Sequence, residues 1–180
     1  MTVRRVVTGK NASGKSVVVS DGPSPREMAL KHTPGFVSAP IWMSEATPSL
    51  SAVANDPMSK AGASLLPTAG GSTFMIVTFP PDSVMMSPDF DPAKAGPEHL
   101  VATPGIAETF EMENPGMHTT PTVDYAVVLD GEIWLELDDG ETVNLKPRDT
   151  IVQQAARHGW RNKGSKPATL AFVLLGAEVR

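Results

Sequence analysis

The chain contains no cysteine. That excludes disulfides, thiolate zinc sites, cysteine-ligated iron–sulfur clusters and cysteine nucleophiles, and leaves any metal to His, Asp, Glu or other oxygen ligands. Long apolar runs are missing as well: nothing approaches the about 18 consecutive apolar residues that read as a membrane-spanning helix. Basic charge is scarce, with 15 Lys and Arg against 20 Asp and Glu and a formal net charge of −5. No basic patch exists to neutralise a phosphate backbone, so nucleic acid is not an expected partner. Met1-Thr2-Val3-Arg4-Arg5 lacks the apolar stretch and small-residue cleavage site of a signal peptide, and a cytoplasmic location is expected. What the chain has in quantity is turn chemistry. Seventeen prolines and 15 glycines in 180 residues imply many turns and few long helices, within one domain large enough for a core.

Val3 to Thr8 and Ser16 to Ser20 read as two β runs joined by a polar turn, a hairpin. A strand is expected from Phe36 to Met43 and another from Thr73 to Phe79, separated by a long loop over 44–71 that carries at most a turn of helix. Residues 82–115 read as loop, with a helix candidate over 92–111 that Pro97, Pro104 and Gly105 interrupt. From residue 122 the texture changes. Val123 to Leu129, Glu132 to Asp138, Thr142 to Leu145, Thr150 to Gln153 and Ala168 to Leu175 are short strands, and Asp130-Gly131 and Asp139-Gly140 mark tight turns. Ile133, Leu135 and Leu137 alternate with Glu132, Trp134, Glu136 and Asp138, as in a sheet with two unlike faces. The fold class expected is all-β, an antiparallel sandwich or small barrel.

Gly9 to Ser16 satisfies the GxxxxGK[ST] phosphate-loop pattern, but that motif requires a helix to start at the Lys-Ser pair. Val17-Val18-Val19 follows instead, so the segment reads as a hairpin loop and no nucleotide cofactor is expected.

The chemistry concentrates in His118, Thr120, Asp124 and His158. On an extended segment, residues 118, 120 and 124 share a face, and His158 can arrive from a neighbouring strand. Two imidazoles and one carboxylate with open positions suit iron(II), with manganese and zinc as alternatives. The other reading is a metal-free pocket in which the histidines act as hydrogen-bonding or acid–base groups.

This pattern resembles the cupin superfamily, over roughly residues 112–177. Its first motif is matched by His118, Asp124 and Gly131, and its second by His158 and Asn162. The departures are Met112 for the opening glycine, Thr120 for the second histidine, and Asp124 for a glutamate. Arg148 replaces a turn glycine, and Gln153-Gln154-Ala155 stands where Pro-x-Gly is usual. The wording around these residues is similar to a subgroup of small single-barrel cupins that accompany aromatic or polyketide metabolism. The resemblance implies a double-stranded, jelly-roll-like antiparallel β-barrel whose core motifs lie in 112–180. Residues 1–111 would supply the hairpin and an irregular arm packed on it, within one domain overall. It further implies a small-molecule enzyme of decarboxylase or oxygenase type acting on an aromatic or oxo-acid substrate, or else a non-catalytic sensor barrel. His118 and His158 would be metal ligands or acid–base groups, and Asp124 the carboxylate ligand or the orienter of an imidazole. Thr120 would hold a water or a substrate oxygen. Arms of this kind often cross between subunits, so a homodimer is expected.

Among the rest, Trp134 is expected to line a pocket or pack under the arm, Trp160 to join the core, and Arg161 to pair with a substrate carboxylate. His99, beside Glu98 in a Pro-rich stretch, reads as solvated, and His32 as an arm contact. Met75, Met85 and Met86 read as packing, and Asp138 to Glu141 as a solvated turn.

Overall fold

The computed structural model describes residues 2–49 and 56–178. Strands β1 (Arg4–Lys10) and β2 (Ser16–Pro23) form an antiparallel hairpin with Lys10 opposite Ser16. In its turn the Asn11 side chain accepts hydrogen bonds from the backbone N–H groups of Ser13 and Lys15, both at 3.0 Å. That side-chain-closed turn leads straight into β2, so the phosphate-loop string is a hairpin loop.

The remaining strands are β3 (Met28–Ala29), β4 (Val37–Ser44), β5 (Ser72–Phe79), β6 (Thr122–Asp130), β7 (Ile133–Glu136), β8 (Thr142–Leu145), β9 (Thr150–Gln154), β10 (Gly159–Arg161) and β11 (Ala168–Gly176). They build one sheet in the order β3-β4-β5-β11-β6-β9 and a smaller one in the order β10-β7-β8, with antiparallel pairing throughout. The two sheets close on one another as the expected all-β barrel. Of the loop expected over 44–71, residues 50–55 lie outside the described residues.

Alternation puts the core where the two sheets face. Along β11, Ala168, Leu170, Phe172 and Leu174 are buried while Thr169, Ala171 and Val173 turn outward. They meet Met75 and Val77 of β5, Ala126 and Val128 of β6, Ile133 and Leu135 of β7, Leu145 of β8 and Ile151 of β9. Each fully buried large aliphatic side chain here stabilises the fold by roughly 1.5–3 kcal/mol. The lumen is apolar at this end and polar at the other, because Thr122 and Asp124 of β6 and Gln153 of β9 occupy the same inward faces.

The outward face of the large sheet carries an apolar row. Phe74, Val173, Tyr125 and Val152 stand in register across β5, β11, β6 and β9. Phe74, Tyr125 and Val152 are 37%, 48% and 63% exposed.

Helix α1 (Pro92–Ala102) forms despite Pro97. Asp91 caps it by accepting from the Ala93 N–H at 3.0 Å, and proline at the first position has no N–H to leave unpaired. It ends at Ala102, nine residues short of the expected limit, because Pro104 and Gly105, with Gly105 at φ 87°, turn the chain away. Ala95, His99 and Ala102 are spaced to share one side of the helix; Ala95 and Ala102 are buried, and the Ser38 hydroxyl donates to the Ala102 carbonyl. Two turns where the resemblance replaced glycine keep a left-handed backbone without it: Arg148 has φ 81° and Ala155 φ 50°.

Candidate functional site

The chain entering β6 is extended, so 118, 120, 122 and 124 fall on one face, and all four are buried. His118 meets His158 in an isolated antiparallel bridge. Each backbone N–H donates to the other's carbonyl at 2.9 Å. The two rings follow, with centroids 4.3 Å apart and planes inclined at 51°. Nδ1 of His118 lies 3.0 Å from the Gly116 carbonyl and Nδ1 of His158 lies 2.9 Å from that of Ala156. A carbonyl only accepts, so both Nδ1 atoms carry the proton and both Nε2 atoms keep a lone pair. Burial lowers both pKa values. His158, pushed further by the neighbouring His118, falls to about 4, whereas the Gly116 carbonyl and the Glu111 carboxylate oppose the shift at His118. The pair is therefore two neutral imidazoles presenting basic nitrogens.

A charged clasp aligns the segments that carry them. Arg157 donates through Nε to Glu111 Oε1 at 2.6 Å, through Nη2 to Glu111 Oε2 at 2.7 Å, and through Nη1 to Asp138 Oδ1 at 2.7 Å. These bonds hold the Glu111 carboxyl down at about 2. Glu111 lies on the loop before His118 and Arg157 immediately before His158, so a two-pronged ion pair fixes both approaches. Sequence reasoning passed over both residues; the only signal was opposite charge at the two flanks.

The imidazoles belong to a closed circuit of aromatic rings. Phe36, His99, Phe110, His118, His158, Trp160 and Phe79 follow one another, and Phe79 returns to Phe36, with successive centroids 4.3–6.4 Å apart. Phe172 packs on Phe79 and Trp160. Trp160 thus joins the core, as expected. His99 does not stay in solvent. Because α1 forms, its ring is laid against Phe36 with Nε2 3.2 Å from Thr33 Oγ1, Nδ1 is buried without a partner, and burial lowers its pKa despite nearby Glu98. His32 meets α1 through its backbone N–H, which donates to Glu98 Oε2 at 2.7 Å.

Thr120 is buried with its hydroxyl 2.7 Å from that of Thr122. Asp124 stands in register between Gln153 of β9 and Leu174 of β11. Burial there raises its pKa, and a hydrogen bond with Thr122 partly offsets the rise. The three-ligand set of His118, Asp124 and His158 does not assemble: among the described residues no three His, Cys, Asp or Glu side chains come together as a metal-binding group. Aspartate is one methylene shorter than the glutamate of the motif, and Asp124 keeps Oδ1 buried without a partner. An iron, manganese or zinc centre of that kind does not fit these donors.

Register sets Arg161 opposite Trp134, while Ile133 and Leu135 of the same strand turn inward. Trp134 lies beneath the Lys163 ammonium, 6.0 Å from its ring centroid. The Arg161 guanidinium is held by Glu136 through Nε and by the Pro115 carbonyl at 2.7 Å through Nη1. It lines an open cleft of ≈ 370 Å³ together with Asn114, Met117, Glu136 and Arg157.

Residues 109–174 match the family model Cupin_2, a cupin domain. Phomopsin biosynthesis cluster protein C′ of Diaporthe leptostromiformis is 48% identical over 63 residues, 34% of this chain and 33% of its own length. The cupin-domain-containing oxidoreductase virC of Hypocrea virens is 39% identical over 62 residues, 33% of this chain and 32% of its own. The chain thus spans about a third of the length of the curated relatives it matches. Among solved structures, the Cupin_2 domain of an XRE family transcriptional regulator from Enterobacter cloacae is similar at a TM-score of 0.36 and 15% identity, covering 59% of this chain and 83% of that one.

Proposed function

We propose that this chain, a member of the cupin superfamily through its domain at residues 109–174, is a small-molecule enzyme that moves a proton on an aromatic or oxo-acid substrate. The observation that carries this reading is the pair of neutral imidazoles, each tied through Nδ1 to a carbonyl with Nε2 left basic. Such a nitrogen is a general base for a substrate hydroxyl or an acidic C–H bond. Once protonated, His158 is a strong acid for an imidazole, because its pKa is held at about 4. Return of that proton to a substrate carbon is what replacement of a carboxyl group by hydrogen requires, so decarboxylase-type chemistry suits the pair. The ring circuit supplies flat apolar walls for the body of the substrate. Thr120, Thr122 and Asp124 furnish the polar end. A second reading, oxidoreductase or oxygenase chemistry in the same lumen, is favoured by similarity to a cupin-domain-containing oxidoreductase.

The test is turnover of a panel of aromatic and oxo acids, followed by carbon dioxide release and by oxygen uptake, with His118→Ala and His158→Ala beside the parent. Loss of carbon dioxide release by at least a hundredfold in both variants is expected. Oxygen uptake without carbon dioxide release would move the assignment to the second reading. If no compound turns over, or both variants keep parental rates, the enzymatic reading is wrong.

A further inference from the structure

Directly across from Asp124, on the adjoining strand, stands Gln153. Both side chains are on inward faces and more than nine-tenths buried, at 7% and 5% exposure. Each keeps one buried polar atom without a partner: Oδ1 of Asp124 and Nε2 of Gln153. Residues directly opposite in an antiparallel pair carry their Cβ atoms about 4.5–5.5 Å apart, so an unused acceptor and an unused donor stand side by side. Buried polar groups are almost always satisfied in folded proteins, and an exception asks for a reason.

Packing gives none. The next inward positions on the same two strands are Ala126 and Ile151, both apolar, so an aliphatic pair at 124 and 153 would simply extend the core. A metal is no explanation either, since an amide nitrogen presents hydrogens rather than a lone pair. A group with its own acceptor and donor on neighbouring atoms would satisfy both at once.

We propose that Asp124 and Gln153 form a two-point hydrogen-bonding station for the polar end of an organic ligand. The ligand group is planar and offers an acceptor to Gln153 Nε2 and a donor to Asp124 Oδ1, as a carboxamide, an un-ionised carboxylic acid or an enolised hydroxy-ketone does. The station deepens the reading of the barrel as a small-molecule enzyme and rests on it. It supplies what the histidine pair lacks: a fixed anchor that sets which face of the substrate meets the two Nε2 atoms. Gln153 is then a specificity-determining residue in a position where the cupin-like motif had none.

Benzamide, with donor and acceptor, and methyl benzoate, with acceptor only, are the probes. Binding is followed by protein-observed NMR, including the Gln153 side-chain amide resonances, on the full chain and on Gln153→Met. Benzamide is expected to shift those resonances and to bind at least tenfold more weakly to Gln153→Met. Methyl benzoate, which lacks the donor for Asp124 Oδ1, should bind the parent at least tenfold more weakly than benzamide does. The thermal midpoint of the variant should equal or exceed the parent's, because an unsatisfied donor has been removed. Should Gln153→Met misfold, Asp124→Asn in the same titration is read in its place. Equal benzamide affinity in parent and variant, or no shift at Gln153, overturns the station. Turnover separates the two proposals: an active enzyme with equal benzamide affinities loses only the station. Benzamide bound at Gln153 in a protein inert to every acid tested loses only the enzyme.

Discussion

Replacing His158 with glutamine should flatten the acid side of the stability profile. In the folded barrel, burial and then the neighbouring His118 hold this imidazole from an ordinary 6.5 down to about 4. The unfolded chain regains the ordinary value, so on acidification it takes up a proton that the folded chain refuses. The sign follows: the contribution of His158 to stability is complete above about pH 6.5 and is lost as pH falls toward 4. At its limit the loss is about 3 kcal/mol, taking about 1.4 kcal/mol per tenfold change in proton affinity, for a residue only 3% exposed. His118 is shifted the same way, so the parent minus the variant isolates the share of His158. The assay is urea unfolding at half-unit steps from about pH 7.5 to about pH 4.5, read by circular dichroism. The parent should lose at least about 1.5 kcal/mol more than His158→Gln across that range. Parallel curves would refute the claim that the folded state holds this ring neutral, and a parent that gained stability on acidification would reverse its sign.

Ala155→Gly relieves a left-handed backbone at φ 50° and should stabilise by about 0.5–1 kcal/mol, raising the thermal midpoint by about 1–4 °C; a lower midpoint sinks the strain argument. Arg157→Leu leaves Glu111 without its two-pronged partner, so turnover should drop at least fivefold while the circular dichroism spectrum keeps its β form; unchanged turnover would show that the clasp does not align the histidines. Tyr125→Glu places a charge in the apolar row on the outer sheet face, and the expected homodimer should then sediment as a monomer, whereas an unchanged sedimentation coefficient in parent and variant removes that face from the interface.

Much of the barrel was readable because period-two alternation survives in β6, β7, β9 and β11, where one face meets the core. The tight turns at Asp130-Gly131 and Asp139-Gly140 fixed where those strands stop. The short β3 and β10 carried too few residues to show a period, and β7 stops at Glu136 because Leu137 to Glu141 turns back on itself. Helix α1 was legible only in outline, since Asp91 and Pro92 announce its start but Pro97 argues against its middle. His99 was misread for that reason: its burial depends on the helix existing. The meeting of His118 and His158 followed from motif spacing. Whether Asp124 joins them in a three-residue ligand group did not, because side-chain reach is decided by three strands that are adjacent only in space. Gln153 showed only as a departure from the motif and Arg157 only as a charge opposite to that of Glu111, as their partners lie on other elements.

The reciprocal main-chain bond between His118 and His158 joins residues forty positions apart, with all of β6 to β9 inside the loop it closes. Closing so long a loop has an entropic cost that only prior pairing of the intervening strands reduces. The two nitrogens therefore meet only when residues 118 and 158 are brought together across that loop. Recovery of ligand binding during refolding should lag the return of β-sheet signal.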